Sequence, residues 1–396
     1  MIVTGQQPAV GGGPLYTLVK AAHAMALGAA RGEPVLFWCA SEDHDLGEAG
    51  HADLIRRDGR IHRCASDLGG GRASLRFRPA RIWWDDLIEQ TAASLGPGPG
   101  SAFLLAHAPQ GEEGMGAWLC RLMADLFPGL QTAEAHALRP RWGQALQRAL
   151  EHWPAAELAE LRASLLAAGA ADAFGPLDAP PLFHDLPQGR DPLTIAEARG
   201  LLPAGLVDLS PGAALRPVLQ QAALPCTAYV GGPGELAYHR FITPVYGALG
   251  VHRPELVPRC SVTLIPAWFA RECARRGCTP EAIPAQIDRP AADDGRLAAL
   301  DAAIALLVGE PRLAGSVRRL ENERSHLARR LARIERSAKG LLPIGTLQAW
   351  LSPRGVRQER TMSLFQAIWE FGPGLAPLLV REAATAAPGE HRYVQP

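Results

Sequence analysis

A strand, a glycine-rich loop, a helix and a second strand follow one another within the first fifty residues, and both strands run out into polar loops. Ile2 and Val3 form the tail of an apolar strand that opens into Thr4-Gly5-Gln6-Gln7 and then Gly11-Gly12-Gly13-Pro14. A helix is expected over residues 15–31, and a second strand over 34–39 leads directly into Glu42-Asp43-His44-Asp45. Such a β-α-β unit belongs to a parallel sheet, and in open α/β sheets ligands bind beyond the carboxyl ends of the strands. The two loops therefore lie side by side where a site is expected.

The rest of the chain has to complete that sheet. Its 396 residues, 47% hydrophobic and 20% charged, suffice for a large core with one or two smaller modules. Lys+Arg and Asp+Glu balance at 40 each, so no net field draws the chain to nucleic acid or to an anionic membrane. No apolar run approaches a bilayer span, and the start lacks a basic stretch followed by an apolar one, so a cytoplasmic location is expected. The seven cysteines are odd in number and scattered, without a Cys-x-x-Cys pair, which speaks against a disulfide framework or structural zinc. They read as small core residues, although Cys39 borders the candidate site.

Along the chain, Asp58-Gly59 predicts a hairpin over 54–64. Helical spacing over 81–94 and 117–127 is punctuated by Gly96-Pro97-Gly98-Pro99-Gly100. Two or three helices are expected over 137–168, interrupted at Pro154. Strands over 205–209 and 227–230 follow, the second entering Gly231-Gly232-Pro233-Gly234-Glu235 and a helix that carries Tyr238. Further on, Leu297, Leu300, Ile304 and Leu307 step by three and four, as do Val317, Leu320, Arg324, Leu327, Leu331 and Ile334, with charged residues between them. This pattern predicts two antiparallel coiled-coil helices broken at 309–311, an arm of the kind that pairs subunits; an ordinary helical hairpin is the alternative. Arg324 interrupts the seam. The expected organisation is a core over 1–290 with an insert at about 80–200, an arm over 291–340, and a helical segment over 341–396 that packs back on the core.

Three loops carry chemistry. In the first, Gly13 and Pro14 open a helix whose first N–H groups lack intrahelical partners, a place that attracts phosphate or carboxylate; the same residues also simply make a turn. Gln6 and Gln7 can orient a polar ligand without adding charge. In the second, Glu42, Asp43, His44, Asp45, Glu48 and His51 fall within ten residues. Carboxylates around His44 are expected to raise its pKa and hold its tautomer, as suits a general base, and to receive an ammonium group. A divalent metal held by the same residues, as in a hydrolase or transferase, is the competing chemistry, and a solvated acidic loop the plain one. The third loop, 231–235 with Tyr238, is a tight strand-to-helix connection. Arg216 and Arg259 flank it, each able to fork onto a carboxylate or phosphate or to pair with a buried acid.

Thr4-Gly5-Gln6-Gln7, Gly13-Pro14-Leu15-Tyr16-Thr17 with Lys20, and Phe37-Trp38 through Glu42-Asp43-His44-Asp45 to His51 resemble the opening signature of the cysteine-adding enzymes of bacillithiol biosynthesis. Farther along, Ser210-Pro211, Leu215-Arg216-Pro217, Ala228-Tyr229-Val230-Gly231-Gly232-Pro233, Glu235-Leu236-Ala237-Tyr238 and Val257-Pro258-Arg259 resemble that family's second block. Gln358-Glu359-Arg360 resembles its C-terminal motif. The order is kept across most of the chain.

The resemblance implies an α/β fold with a Rossmann-like parallel core, inserted helical segments and a C-terminal antiparallel coiled-coil arm that makes a homodimer. It implies a ligase that condenses cysteine with the amine of glucosaminyl malate. Asp43, His44 and Asp45 would be catalytic. Thr4, Gly5, Gln6, Gln7, Gly13, Pro14, Tyr16, Thr17, Lys20, Glu42, His51, Arg216, Tyr229, Gly231, Gly232, Glu235, Tyr238 and Arg259 would bind substrate. Amide formation in water ordinarily needs activation, for which ATP is the candidate, and the sequence leaves the nucleotide requirement open. Family members usually carry a helical segment before Thr-Gly-Gln-Gln, whereas this chain starts three residues ahead of it, which raises the expectation of a late start or of a truncated, inactive scaffold. Pro8, and Gly50 before His51, also depart from the family pattern.

Overall fold

Strand β1 (Ile2–Gln6) and strand β2 (Val35–Cys39) pair in parallel from Ile2↔Val35 to Gln6↔Cys39, joined by helix α1 (Tyr16–Arg31). In chain order there follow β3 (His51–Ile55), β4 (Ile61–Ala65), β5 (Gln131–Glu134), β6 (Leu182–Leu186), β7 (Gly189–Pro192), β8 (Leu209–Pro211), β9 (Ala228–Gly231), β10 (Glu255–Pro258), β11 (Ser261–Leu264) and β12 (His391–Val394). This computed structural model describes residues 1–169, 172, 175, 177–204, 206–285, 295–309 and 311–396. The chain forms two compact units, the first made of Met1–Leu54, Ile61–Thr263 and Glu359–Val394, the second of Ile55–Arg60, Leu264–Gln358 and Gln395–Pro396.

The core of the first unit is a five-stranded sheet in the order β10-β9-β1-β2-β5, parallel throughout. β1 is central and buried on both faces, as an apolar strand between crossover helices should be. From β1 the chain winds outward through β2 to β5, then returns to the other side of β1 with β9, so the order reverses between β1 and β9. That reversal is where a crevice opens in sheets of this kind. Only Ile2 and Val3 of β1 pair with β9; beyond them the Thr4 hydroxyl donates to the Val230 carbonyl at 2.8 Å, and the strand ends separate.

Local signals place most elements. β3 and β4 form the hairpin expected at Asp58-Gly59, with Gly59 at φ 82°. The glycines at 98 and 100 have a packing reason: a Cβ on Gly100 would stand 1.7 Å from the Ile368 carbonyl oxygen, so this run lets the backbone press against helix Leu364–Phe371. The region 137–168 contains helices Gly143–Glu151 and Ala155–Ala167. The strand expected over 205–209 is displaced toward the C-terminus: residues 206–208 form a bend and turn and β8 is Leu209–Pro211, while Gly205 lies outside the described residues. β8 joins β6 and β7 in a small antiparallel sheet whose pairings span residues too polar to read as strands. All seven cysteines are free, and six are buried. No helix among the described residues is long and apolar enough to cross a membrane.

In the second unit, Trp268 meets Trp350 edge-on at 5.3 Å, and the Trp350 indole donates to the Leu264 carbonyl at 2.9 Å. Gln358, fully buried, accepts from the Leu264 N–H at 2.8 Å. Helices Arg296–Leu307 and Ala314–Lys339 pack together as a helical hairpin of 12 and 26 residues. Arg324, the charge in the expected seam, ion-pairs with Asp301. Residues 291–294 of the expected arm and the Ile334 side chain lie outside the described part of the structure.

Back in the first unit, Glu370 lies near the end of helix Leu364–Phe371, where burial pushes its carboxyl up to about 7 against one opposing hydrogen bond from Gln366. Between the ordinary carboxylate range and that value, the native chain holds a proton that the unfolded chain releases. Stability therefore falls as pH rises through the window. Glu370→Gln is expected to raise the thermal midpoint at about pH 8 and to leave it unchanged near about pH 4.5; a shift independent of pH would contradict this assignment.

Candidate active site

A cavity of about 340 Å³ sits at the carboxyl ends of β1, β2 and β9. Gly5, Gln6 and Gln7 reach it from β1, Trp38, Ala40 and Asp43 from β2 and its loop, and Gly232, Gly234 and Glu235 from the connection after β9. Gly5 is required by proximity, since a Cβ there would stand 2.5 Å from the Trp38 carbonyl oxygen. The Gln6 carbonyl accepts from the Ala40 N–H at 3.0 Å, tying the first two strand ends together.

On the β9 side, helix Pro233–Phe241 starts with Pro233, and the Glu235 carboxylate accepts the Gly232 N–H at 2.9 Å, satisfying one donor of the helix start. Lys20, on α1 and completely buried, donates to both Glu235 oxygens at 2.8 Å and to Gln6 Oε1 at 3.1 Å. The Tyr229 hydroxyl donates to Glu235 at 3.1 Å. Burial alone would raise the Glu235 carboxyl, but Lys20 and these donors outweigh it and hold the group below the usual carboxylate range. Tyr16 meets the same cavity from α1, its phenol pushed up to about 12 by burial and by Glu48 and Glu235.

The acidic loop after β2 divides its carboxylates. Glu42, fully buried, turns into the core, where Arg139 Nε donates to it at 2.6 Å. Arg139 also reaches Asp185 of β6 at 2.5 Å, and Arg76 pairs with Asp185 at 2.8 Å. Asp43 faces the cavity, 3.2 Å from Arg216 Nη1, and accepts the N–H groups of His44 and Asp45. Burial would raise its carboxyl; the Arg216 charge and those N–H bonds hold it low. Asp45 caps the short helix Leu46–Ala49 by accepting the Glu48 N–H at 3.1 Å.

His44 departs from expectation. Its Nδ1 lies 3.1 Å from Arg190 Nη1, its ring packs at 6.4 Å from Phe183, and it is absent from the cavity wall. Burial and the Arg190 charge lower its pKa, outweighing Asp43. The neighbouring carboxylates were expected to raise it; they fail because Glu42 and Asp45 are committed elsewhere and a buried arginine faces the ring. The metal alternative meets the same divergence, and among the described residues no group of three or more His, Cys, Asp or Glu could hold a metal ion.

Of the other expected residues, Tyr229, Tyr238, Arg216 and Arg259 line the cavity. Lys20 lies beneath it, holding Glu235 and Gln6 rather than forming the wall. Thr4 bridges to β9, and His51 begins β3. The anion site expected at the start of α1 is closed: Leu15 N–H donates to the Met362 carbonyl and Leu364 N–H to the Gly13 carbonyl, both at 2.7 Å, and Pro14 pairs with Ser363. Gly13, Pro14 and Thr17 are therefore off the wall, while Gly231 accepts the Arg259 N–H at 3.0 Å. Cys39 is buried, and burial together with Cys120 raises its thiol well above the usual value.

Arg259 closes bidentately on Glu359 at 2.8 and 2.9 Å, so one of the two readings offered by its sequence context, pairing with a buried acid, holds. Yet its Nε, like that of Arg216, is buried and has no hydrogen-bond partner among the described residues. Both arginines are about nine-tenths buried in the cavity wall. Buried donors of this kind are rarely left unsatisfied, and in a cavity wall they have the chemistry to receive an anionic group.

A parallel α/β sheet with an ionised crevice at its order reversal defines a Rossmann-like chain with a candidate small-molecule site. The family model for the bacillithiol biosynthesis BshC N-terminal Rossmann-like domain matches residues 1–159 and 205–260, more than half of the chain, and the chain belongs to this family. A Koribacter versatilis protein is 33% identical over 67% of this chain and 54% of its own length, and a Heliobacterium modesticaldum protein 29% identical over 72% and 59%. A Symbiobacterium thermophilum protein is 27% identical over 99% of this chain and 83% of its own. Each is named "Putative cysteine ligase BshC". The chain thus spans little more than half the length of the first two.

Replacing Arg139 by Met leaves Glu42 and Asp185 without their shared counter-charge, and is expected to cost about 3–5 kcal/mol, read as a lower urea midpoint. Replacing Arg190 by Gln is expected to bring the His44 pKa up toward the ordinary histidine value, followed by the ring proton shifts in an NMR titration. An unmoved titration would show that burial alone sets it.

Proposed function

We propose that this chain joins the carboxyl group of cysteine to the amine of glucosaminyl malate, an amide-forming step in bacillithiol biosynthesis that takes place in the cytoplasm. Membership in the BshC family and the names of the relatives support that role. The observation that carries it is the pairing, in one cavity, of two buried guanidinium groups with uncommitted Nε–H donors and a wall of carboxylates. The acceptor has the matching groups, an amine and two carboxylates.

In this reading Arg216 and Arg259 receive the malate carboxylates, and Gln6 and Gln7 orient the sugar. Asp43, kept ionised by Arg216, accepts an N–H of the attacking amine. His44 and Asp45 shape the loop, the first against Arg190 and the second as a helix cap. The reaction forms a C–N bond as the carboxyl carbon loses an oxygen, which departs as water or, after activation by ATP, within phosphate. The helical hairpin, with Leu306 82% exposed, is the surface through which two copies would pair.

Incubation of the chain with L-cysteine and glucosaminyl malate, with and without magnesium and ATP, is expected to yield a product with the summed mass less one water by mass spectrometry. Asp43→Asn is expected to slow it by roughly tenfold or more. No product in either condition, from protein that also binds neither reactant, would overturn the proposal.

A further inference from the structure

The cavity wall carries three cations and three anions, Arg216, Arg259 and Arg360 against Asp43, Glu48 and Glu235. Four are closed by partners within the fold: Asp43 by Arg216, Glu235 by Lys20, and Arg259 by Glu359. Glu48 and Arg360 are left. No ion pair joins either to a side chain among the described residues, and both are exposed at the rim. Both share the cavity wall with Tyr16 and act on its phenol, Glu48 raising its pKa and Arg360 lowering it, and no ion pair closes one on the other.

We infer that Glu48 and Arg360 read the two ends of a zwitterionic α-amino acid, Glu48 taking the ammonium and Arg360 the carboxylate, in the cavity wall they share with Tyr16. This rests on the function proposed above and assigns one reactant, the thiol amino acid, to this rim. Charge complementarity carries the choice: a ligand with a single charge answers one of the two residues, whereas a zwitterion answers both. The surroundings of Glu48 favour an arriving cation as well, because burial and the charges of Asp45 and Asp43 raise its carboxyl against a single opposing hydrogen bond from Gln7, a cost that an ammonium group relieves. Arg360 follows Glu359, whose pairing with Arg259 anchors the segment beside the cavity. The fork of a guanidinium fits a carboxylate bidentately.

Calorimetric titration of the full chain with L-cysteine, cysteamine and 3-mercaptopropionate separates the two roles, since the second thiol lacks the carboxylate and the third lacks the amine. Glu48→Gln is expected to weaken L-cysteine and cysteamine by roughly tenfold or more and to leave 3-mercaptopropionate unchanged. Arg360→Ala is expected to weaken L-cysteine and 3-mercaptopropionate similarly and to spare cysteamine. Both positions are exposed, so thermal midpoints should match the parent. Wild-type binding and condensation of cysteine, with both variants binding all three thiols as the parent does or weakened equally for all three, would overturn the inference and leave the proposed function standing. A parent chain that neither binds nor condenses cysteine would overturn both.

Discussion

The buried Lys20 ammonium is the contact on which the site depends. It stands beneath the point where β1 and β9 part, and it is closed by Glu235 from one strand-end connection and by Gln6 from the other. A lysine with no exposed surface is tolerated only because its charge is neutralised and its protons are accepted. The consequence reaches outward. Glu235 is fixed by Lys20, Tyr229 and the Gly232 N–H at once, so the start of helix Pro233–Phe241 has one orientation, and Tyr238 on that helix comes to the cavity wall. Separating strand ends supply the opening, and this ion pair keeps it from collapsing or drifting.

A second buried cluster performs the same service on the β2 side. Arg139 holds Glu42 from the core sheet and Asp185 from the small antiparallel sheet, and Arg190 from that sheet reaches His44. The loop is thereby split. Its first carboxylate is structural, its second faces the cavity, its third caps a turn, and its histidine looks toward an arginine. Burying two acids and an arginine together costs desolvation that good hydrogen bonds offset without large profit, so the cluster is better understood as fixing geometry than as adding stability.

How much of this the sequence disclosed depends on the range of the signal. The β-α-β opening, the Asp58-Gly59 hairpin and the helix carrying Tyr238 rest on turn chemistry and apolar runs a few residues long, and they appear where expected. The family motifs pointed to cavity-lining groups, among them Gln6, Asp43, Arg216 and Arg259. Direction was harder. Arg190 lies between Gly189 and Asp191 in a stretch that reads as surface, 146 residues from His44, and nothing local shows that a buried cation will lower that histidine. Arg139 is 97 residues from Glu42. The closure of the α1 start by residues 362–364 is equally non-local. Glu48 was visible as one acid among several, and only the pairing of its neighbours sets it apart.

That pairing also settles how an ionised pocket can be both stable when empty and selective. The deep charges are compensated before any ligand arrives, so the fold does not need the ligand to neutralise them, and their mutual attraction at short range is little screened by salt. What they offer is residual hydrogen-bonding capacity, as with the Nε–H groups of Arg216 and Arg259, which rewards shape and donor–acceptor fit. Charge without an ion-pair partner appears at the rim, where Glu48 and Arg360 are exposed, although part-burial and the nearby aspartates still disfavour the Glu48 carboxylate. Unpaired charge thus sits at the exposed residues of the wall and unused hydrogen-bonding capacity at the buried ones.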